Sequence, residues 1–145
     1  MRWMWIDRVI ELKAKERLVA IKHLSMAEEH LHDHFPATAT RPQLPVMPMS
    51  LIVEGMAQSA GILVGHANDF KEKVVLAKVA KASLTKDPTP GCTLRYTATI
   101  DRFTDNGAST KGTVDLYHPE QSYLDDQPAQ PERIGKIDLI FSHLD

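Results

Sequence analysis

Apolar and polar residues alternate over several stretches of this chain, and that two-residue period is typical of a β-strand with one buried face. The alternation is most regular over Thr93–Phe103. Its apolar positions are Leu94, Tyr96, Ala98 and Ile100. Asp105-Asn106-Gly107 follows and predicts a hairpin turn, so we expect Ser109–Tyr117 to return as the antiparallel partner strand.

Other segments share this pattern and predict the rest of a sheet. They are Arg17–Leu24, Val74–Leu84, Ile134–His143 and, less regularly, Trp3–Leu12. The stretch His118–Glu132 is rich in proline and polar residues, which predicts a long surface excursion before the last strand. Together these patterns indicate an antiparallel sheet of five or six strands.

One segment, Met49–His66, predicts a helix that is apolar on nearly every side and therefore buried. Its apolar residues are Leu51, Ile52, Val53, Met56, Ala57, Ala60, Ile62 and Leu63. Pro48 suits the first turn, Ser50 is the expected cap, and Gly65 is the expected terminator. The predicted fold class is α+β, with a central buried helix wrapped by an antiparallel sheet.

Composition narrows the class of protein. The chain has 145 residues with a net charge of -2 and a single cysteine, Cys92, so we expect one domain over residues 1–145 without an intramolecular disulfide. The charge balance lacks the overall basic character of a nucleic-acid-binding domain. The longest apolar stretch, near Leu51–Val64, contains Glu54 and Gln58 and is too short for a membrane span. Charge appears too early for a signal peptide, and we expect a cytoplasmic protein.

Glu54 is unusual because it lies in the predicted buried helix. An unpaired buried carboxylate costs several kcal/mol, or its pKa rises until the group is neutral. The alternative is a first-turn glutamate that faces solvent and complements the helix dipole.

Histidines alternate in the segment Glu28-Glu29-His30-Leu31-His32-Asp33-His34. If that segment were extended, the three histidines would share one face and could offer metal ligands. The alternative for His34 is a structural or surface role, and we expect no metal and no cofactor.

Three motifs are informative when they are taken together. They are His34-Phe35-Pro36, Pro45-Val46-Met47-Pro48 and Glu54-Gly55-Met56-Ala57-Gln58. This string closely resembles the signature of the hotdog-fold 3-hydroxyacyl-[acyl-carrier-protein] dehydratases of bacterial fatty-acid synthesis. The similarity covers most of residues 3–116, including Trp5–Leu12, Arg17–Lys22 and the turn Asp87–Gly91.

The resemblance implies a hotdog fold in which His34 and Glu54 are the catalytic pair, supplied by different subunits of a homodimer. Further assembly into a trimer of dimers stays open. The residues that it places at the substrate are Phe35, Pro48, Met49 and Gln58. It implies a substrate carried on acyl carrier protein or coenzyme A, no cofactor, and no nucleic-acid or membrane partner.

The implied reaction suits these side chains. A neutral imidazole at His34 can remove the C2 proton of a 3-hydroxyacyl thioester, and Glu54 can protonate the departing hydroxyl. The backbone N–H of Met49 would stabilise the thioester oxygen, while Gln58 lies one turn after Glu54 and can orient it. Phe35 and Tyr96 are expected to line the acyl tunnel.

The sequence departs from the family pattern in ways that leave alternatives open. Ala37 and Met49 stand where the family usually has glycine, and about six residues are inserted within Ala37–Leu44. The alternatives are a non-catalytic hotdog subunit that binds acyl chains or a partner, and a hotdog thioesterase. A basic rim for an acidic carrier protein could be formed by Lys78, Lys81, Lys86, Arg95 and Arg102, or these could be solvated strand residues.

Overall fold

A computed structural model describes residues 3–32, 34–124 and 128–144 of the chain. The strands are β1 (Arg8–Lys13), β2 (Arg17–His23), β3 (Lys73–Leu84), β4 (Thr93–Thr104), β5 (Gly107–Tyr117) and β6 (Glu132–Leu144). The helices are α1 (Glu29–His32), α2 (Met49–Ala67) and α3 (Pro119–Tyr123). These strands form one antiparallel sheet in the order β1-β2-β4-β5-β6-β3, which confirms the predicted sheet.

The hairpin of β4 and β5 follows its sequence pattern closely. Leu94, Tyr96 and Ala98 are buried on one face of β4. Thr104 pairs with Gly107 across the predicted turn. The same period holds in β6, whose buried face carries Ile137, Leu139 and Phe141.

Helix α2 packs against β2, β3, β4, β5 and β6, so the sheet curls around it. Its buried residues include Ile52, Met56, Ala60, Leu63 and Val64, as the all-round apolar pattern predicts. No helix among the described residues is long and apolar enough to cross a membrane.

The bounds of α2 agree with the predicted Met49–His66 to within one residue, but the residues that cap and terminate it differ from the expectation. Pro48 is the N-cap, and no side-chain cap hydrogen bond is present within the described part of the chain, so the prediction of Ser50 as the cap was wrong. Gly65 does not terminate the helix, which continues to Ala67. Gly65 is instead a buried helical residue because the ring of Phe70 occupies the space that a side chain would need.

Gly55 allows the helix to approach β4 closely. A Cβ atom at this position would lie 2.5 Å from the Tyr96 hydroxyl and 3.0 Å from the Trp5 carbonyl oxygen. This contact fixes the turn of α2 that carries Glu54.

The N-terminal segment and the excursion before β6 are less regular than the rest. Within the predicted strand Trp3–Leu12, the regular strand begins at Arg8, whereas Trp5 and Ile6 are buried in the core. The excursion His118–Glu132 contains the short helix α3, and residues 125–127 lie outside the described residues.

Candidate active site

Glu54 lies on an exposed face of α2 and is held by a neighbour one turn later. Gln58 Nε2 donates a hydrogen bond to Glu54 Oε1 over 3.1 Å. The helical spacing of four residues places the two side chains on one face. The carboxylate is therefore oriented by an amide, as the spacing allows.

The Gln58 amide is itself anchored by the N-terminal segment. Its Nε2 also donates to the Trp3 carbonyl oxygen at 2.8 Å, and its Oε1 accepts the Trp5 backbone N–H at 2.9 Å. Both anchors are main-chain groups, so they persist whatever side chain residue 3 carries. Sequence reasoning missed this contact because main-chain partners leave no signal in residue identity.

Glu54 and Gln58 border a largely apolar groove of about 310 Å³. This volume is at the lower end of the roughly 300–1,000 Å³ typical of small-molecule sites. The groove's other lining residues are Met4, Ala57, Gly61, Ile62, Phe70, Val74, Leu76 and Phe141. A carboxylate beside an apolar groove is suited to an amphiphilic ligand whose polar group reacts and whose tail is buried.

His34 lies just after α1, outside regular secondary structure. Its ring centroid is 4.3 Å from that of Phe35, which has a left-handed backbone with φ of 55°. The Leu44 N–H donates to the Phe35 carbonyl oxygen at 3.0 Å, and the guanidinium of Arg41 lies 5.6 Å from the centre of the Phe35 ring. The inserted segment Ala37–Leu44 thus folds back onto Phe35, next to His34.

Pro48 and Met49 form the start of α2. As the first residue of the helix, Met49 has a backbone N–H with no acceptor inside the helix, and its side chain is exposed. Because this N–H has no helical acceptor, it is available to donate a hydrogen bond to an oxyanion.

The groove that Glu54 lines does not include His34 among its lining residues. Among the described residues of one chain, the groove is therefore lined by Glu54 but not by His34. The expectation that Tyr96 lines the tunnel was wrong. Tyr96 is fully buried beneath Gly55, and burial raises the pKa of its phenol far above the usual range.

The alternating histidines do not form an extended face, because His30 lies in helix α1. Its Nε2 is 3.5 Å from Glu28 Oε2, and its ring packs edge-on against Trp5. Burial lowers the pKa of His30, against the opposing effect of Glu28. Within the described part of the chain, no group of three acidic, histidine or cysteine side chains could hold a metal ion; the side chain of His32 and all of Asp33 lie outside it.

The basic residues considered for a carrier-protein rim fall into two groups. Lys86 pairs with Glu132 at 2.7 Å and Arg95 pairs with Asp115 at 2.8 Å. Lys78, Lys81 and Arg102 are exposed on β3 and β4. The charges of the first group are balanced by ion-pair partners, whereas the second group consists of exposed strand residues.

Comparisons with known proteins show which family the chain is similar to. A family model described as a FabA-like domain matches residues 2–118. A 3-hydroxyacyl-[acyl-carrier-protein] dehydratase FabZ from Koribacter versatilis is 37% identical over 109 residues, which are 74% of this chain and 66% of that protein. A protein of the same name from Oenococcus oeni is 36% identical over 115 residues, covering 77% of this chain and 78% of the relative.

Solved structures show the same architecture at low sequence identity. AziG of S. sahachiroi has a TM-score of 0.67 and 9% identity, covering 94% of this chain and 90% of its own. An acyl-CoA hydrolase from Staphylococcus aureus, solved with butyryl coenzyme A, has a TM-score of 0.67 and 13% identity, covering 93% of this chain and 71% of its own. At such identity the likeness concerns the fold alone, and it confirms the predicted α+β hotdog architecture.

Proposed function

This chain belongs to the family of FabA-like domains, and from that membership we propose that it is an enzyme that dehydrates 3-hydroxyacyl thioesters to trans-2-enoyl thioesters. The names of the FabZ relatives support substrates that are carried on acyl carrier protein, as in fatty-acid synthesis. One structural observation carries the proposal for this chain: Glu54 is held by Gln58 at the border of an apolar groove. We assign this activity to one domain over residues 1–145.

The reaction needs one group that accepts a proton and one that donates a proton. The imidazole of His34 removes the C2 proton, and the electrons of that C–H bond form the C2–C3 double bond. The C3–O bond breaks as Glu54, in its acid form, protonates the leaving hydroxyl to give water. His34 then carries the proton taken from C2 and Glu54 is a carboxylate. Transfer of a proton from His34 to Glu54 through solvent restores both groups for the next turnover.

Negative charge develops on the thioester oxygen as the C2 proton leaves. A backbone N–H that is already oriented and has no helical acceptor stabilises such a charge without reorganisation. Met49, at the start of α2, supplies that N–H, and Pro48 fixes the entry of the chain into the helix. Phe35 contacts the His34 ring and so bounds the space next to the base.

The complete site is proposed to form between two copies of the chain, with His34 from one copy and Glu54 from the other. Two observations support this arrangement. The groove beside Glu54 lacks His34 among its lining residues, and β3 is a twelve-residue edge strand. Leu76 and Val79 on β3 are 38% and 42% exposed, and a long edge with exposed apolar residues favours pairing with another strand.

The direct test is the reverse hydration of a trans-2-enoyl thioester, followed by the loss of its conjugated absorbance. We expect turnover by the wild type and a loss of about 10²–10⁴-fold in kcat for His34→Ala and for Glu54→Gln. The control variants His118→Ala and Glu16→Gln remove the same chemical groups away from the groove, and they should keep full activity.

Other outcomes of this assay identify the alternatives. Release of free thiol instead of enoyl hydration would indicate a thioesterase. Absence of turnover with all chain lengths and both carriers would contradict the proposal and indicate a non-catalytic subunit.

A further inference from the structure

The turn that follows α2 holds an aromatic residue in an unfavourable backbone conformation. Asp69 and Phe70 both have left-handed φ angles, of 50° and 54°. Side chains of L-residues disfavour this region, and a bulky residue rarely adopts it. The turn is closed by hydrogen bonds from the N–H groups of Asn68 and Phe70 to the Gly65 carbonyl oxygen, at 3.2 and 2.8 Å.

This conformation directs the Phe70 ring back over the last turns of the helix. A Cβ atom at Gly65 would lie 2.8 Å from the ring, so only glycine at position 65 leaves room for the Phe70 ring. The ring also meets His66 edge-on, with 6.0 Å between the centroids. Phe70 is 61% exposed and contributes little to the core, so core packing does not explain why it is held there.

Phe70 lies at the end of the groove that is remote from Glu54. The groove follows α2 past Gln58 and Ile62, and the ring covers Gly65. At 1.5 Å per residue, the eleven helical steps from Glu54 to Gly65 span about 16.5 Å. If the thioester reacts at Glu54, the tail of its acyl chain extends towards Phe70.

We propose that Phe70 closes the far end of the acyl groove and limits the length of the chain that the enzyme accepts. The inference rests on the proposed function, and it assigns the enzyme to short and medium chains. A longer chain would have to displace the ring or leave its last methylene groups in water. Phe70 acts on binding rather than on the reacting atoms, so it sets specificity and takes no part in proton transfer.

The test compares Phe70→Gly with Asp69→Gly. Both substitutions place glycine at a left-handed position and relieve the same backbone strain, but only Phe70→Gly removes the ring. We would measure kcat/KM with trans-2-enoyl thioesters from crotonyl to 2-hexadecenoyl. For Phe70→Gly we expect at least a ~10-fold gain in kcat/KM with chains beyond the wild-type limit, the scale of a pocket contact. Asp69→Gly should retain the wild-type length profile.

Binding measurements separate this inference from the proposed function. The dissociation constants of saturated acyl-CoA thioesters, from butyryl to palmitoyl, report the length limit without any chemistry. If no enoyl thioester reacts but Phe70→Gly extends the length limit for binding, the dehydratase proposal fails and the role of Phe70 stands. If the length limit is the same in both variants and the wild type, the role of Phe70 is wrong. Light scattering would also show whether Phe70→Gly changes the oligomeric state. Such a change, with no change in the acyl-chain length profile, would overturn the proposal and assign the ring to the contact between chains.

Discussion

Gln58 donates a hydrogen bond to Oε1 of Glu54 at 3.1 Å, while its own amide is tied to the main chain of the N-terminal segment. The two Nε2 hydrogens have separate acceptors, Glu54 and the Trp3 carbonyl oxygen, and the amide oxygen accepts the Trp5 N–H. This arrangement makes Oε1 of Glu54 an acceptor, so in the proposed reaction Oε2 would be the oxygen that carries the proton for the leaving hydroxyl.

We predict that Gln58→Met lowers kcat by at least ~10-fold, because a general acid contributes about 10²–10⁴-fold only when it is positioned. Methionine has a similar length but cannot form the three hydrogen bonds. The measurement is kcat and KM for enoyl hydration, together with the melting temperature. A loss of kcat at an unchanged KM is the expected signature of a misdirected carboxyl group.

The matched control is Trp3→Ala. Trp3 anchors Gln58 through its carbonyl oxygen, which the substitution retains. Equal losses of kcat in Trp3→Ala and Gln58→Met would show that the Trp3 indole ring, and not its carbonyl oxygen, positions Gln58.

Mixing two inactive variants should restore activity if His34 and Glu54 meet across a dimer. In a heterodimer of His34→Ala and Glu54→Gln chains, one of the two shared sites keeps both native residues. We expect measurable activity after co-expression of the two variants with different affinity tags and isolation of the doubly tagged species. Each variant prepared alone should stay inactive, and a heterodimer as inactive as its parents would place both residues of a site in one chain.

Two glycines of α2 should respond oppositely to alanine. At Gly55 the new Cβ would lie 2.5 Å from the Tyr96 hydroxyl, so we expect the free energy of unfolding to fall by about 1–3 kcal/mol, the usual cost of overpacking. At Gly61 the nearest atom is 3.8 Å away, in the Phe141 ring, and alanine should raise stability by about 0.5–1 kcal/mol through helix propensity. Denaturant titration of both variants measures the difference, and a stabilised Gly55→Ala would contradict the close contact.

Asp115 predicts an acid-dependent part of the stability. Burial alone would raise the pKa of this carboxyl, but hydrogen bonds from Arg133 and Arg95 outweigh it and hold the pKa below its ordinary value. A lowered native pKa stabilises the fold above the unfolded value of about 3.9 and loses that contribution as the pH falls through the native pKa. We expect Asp115→Asn to lower the free energy of unfolding by about 1–3 kcal/mol at neutral pH.

Chemical unfolding of the wild type and Asp115→Asn at several pH values checks this prediction. The difference between the two proteins should begin to shrink as the pH falls below the unfolded value of about 3.9, and it should be lost as the pH falls through the lower native pKa. A difference that does not depend on pH would assign the effect to packing rather than to charge.

The sheet and the central helix could be predicted from the sequence because burial imposes a period on residue type. The alternation in Thr93–Phe103 placed β4 correctly, and the all-round apolar pattern located α2. The helix bounds were predicted to within one residue, but the terminator was not, since Gly65 has a packing role that depends on Phe70, a residue outside the helix. Local turn preferences cannot report such a tertiary contact.

The candidate site was only partly visible in the sequence. Its motif identified Glu54 and Gln58, whose hydrogen bond the structure shows. The main-chain anchors at Trp3 and Trp5 and the far end of the groove could not be predicted from residue identity. Tyr96 was misplaced because strand alternation marks a buried face without distinguishing the core from a ligand cavity.

The open edge of β3 has a consequence for how the protein behaves on dilution. If the edge is covered by a second chain that also completes the site, folding stability and specific activity both become functions of protein concentration. Activity per chain should then decline once the protein is diluted below the dissociation constant of the dimer, and refolding should include a second-order step. The concentration at which activity is lost would be a direct measure of how tightly two copies hold each other.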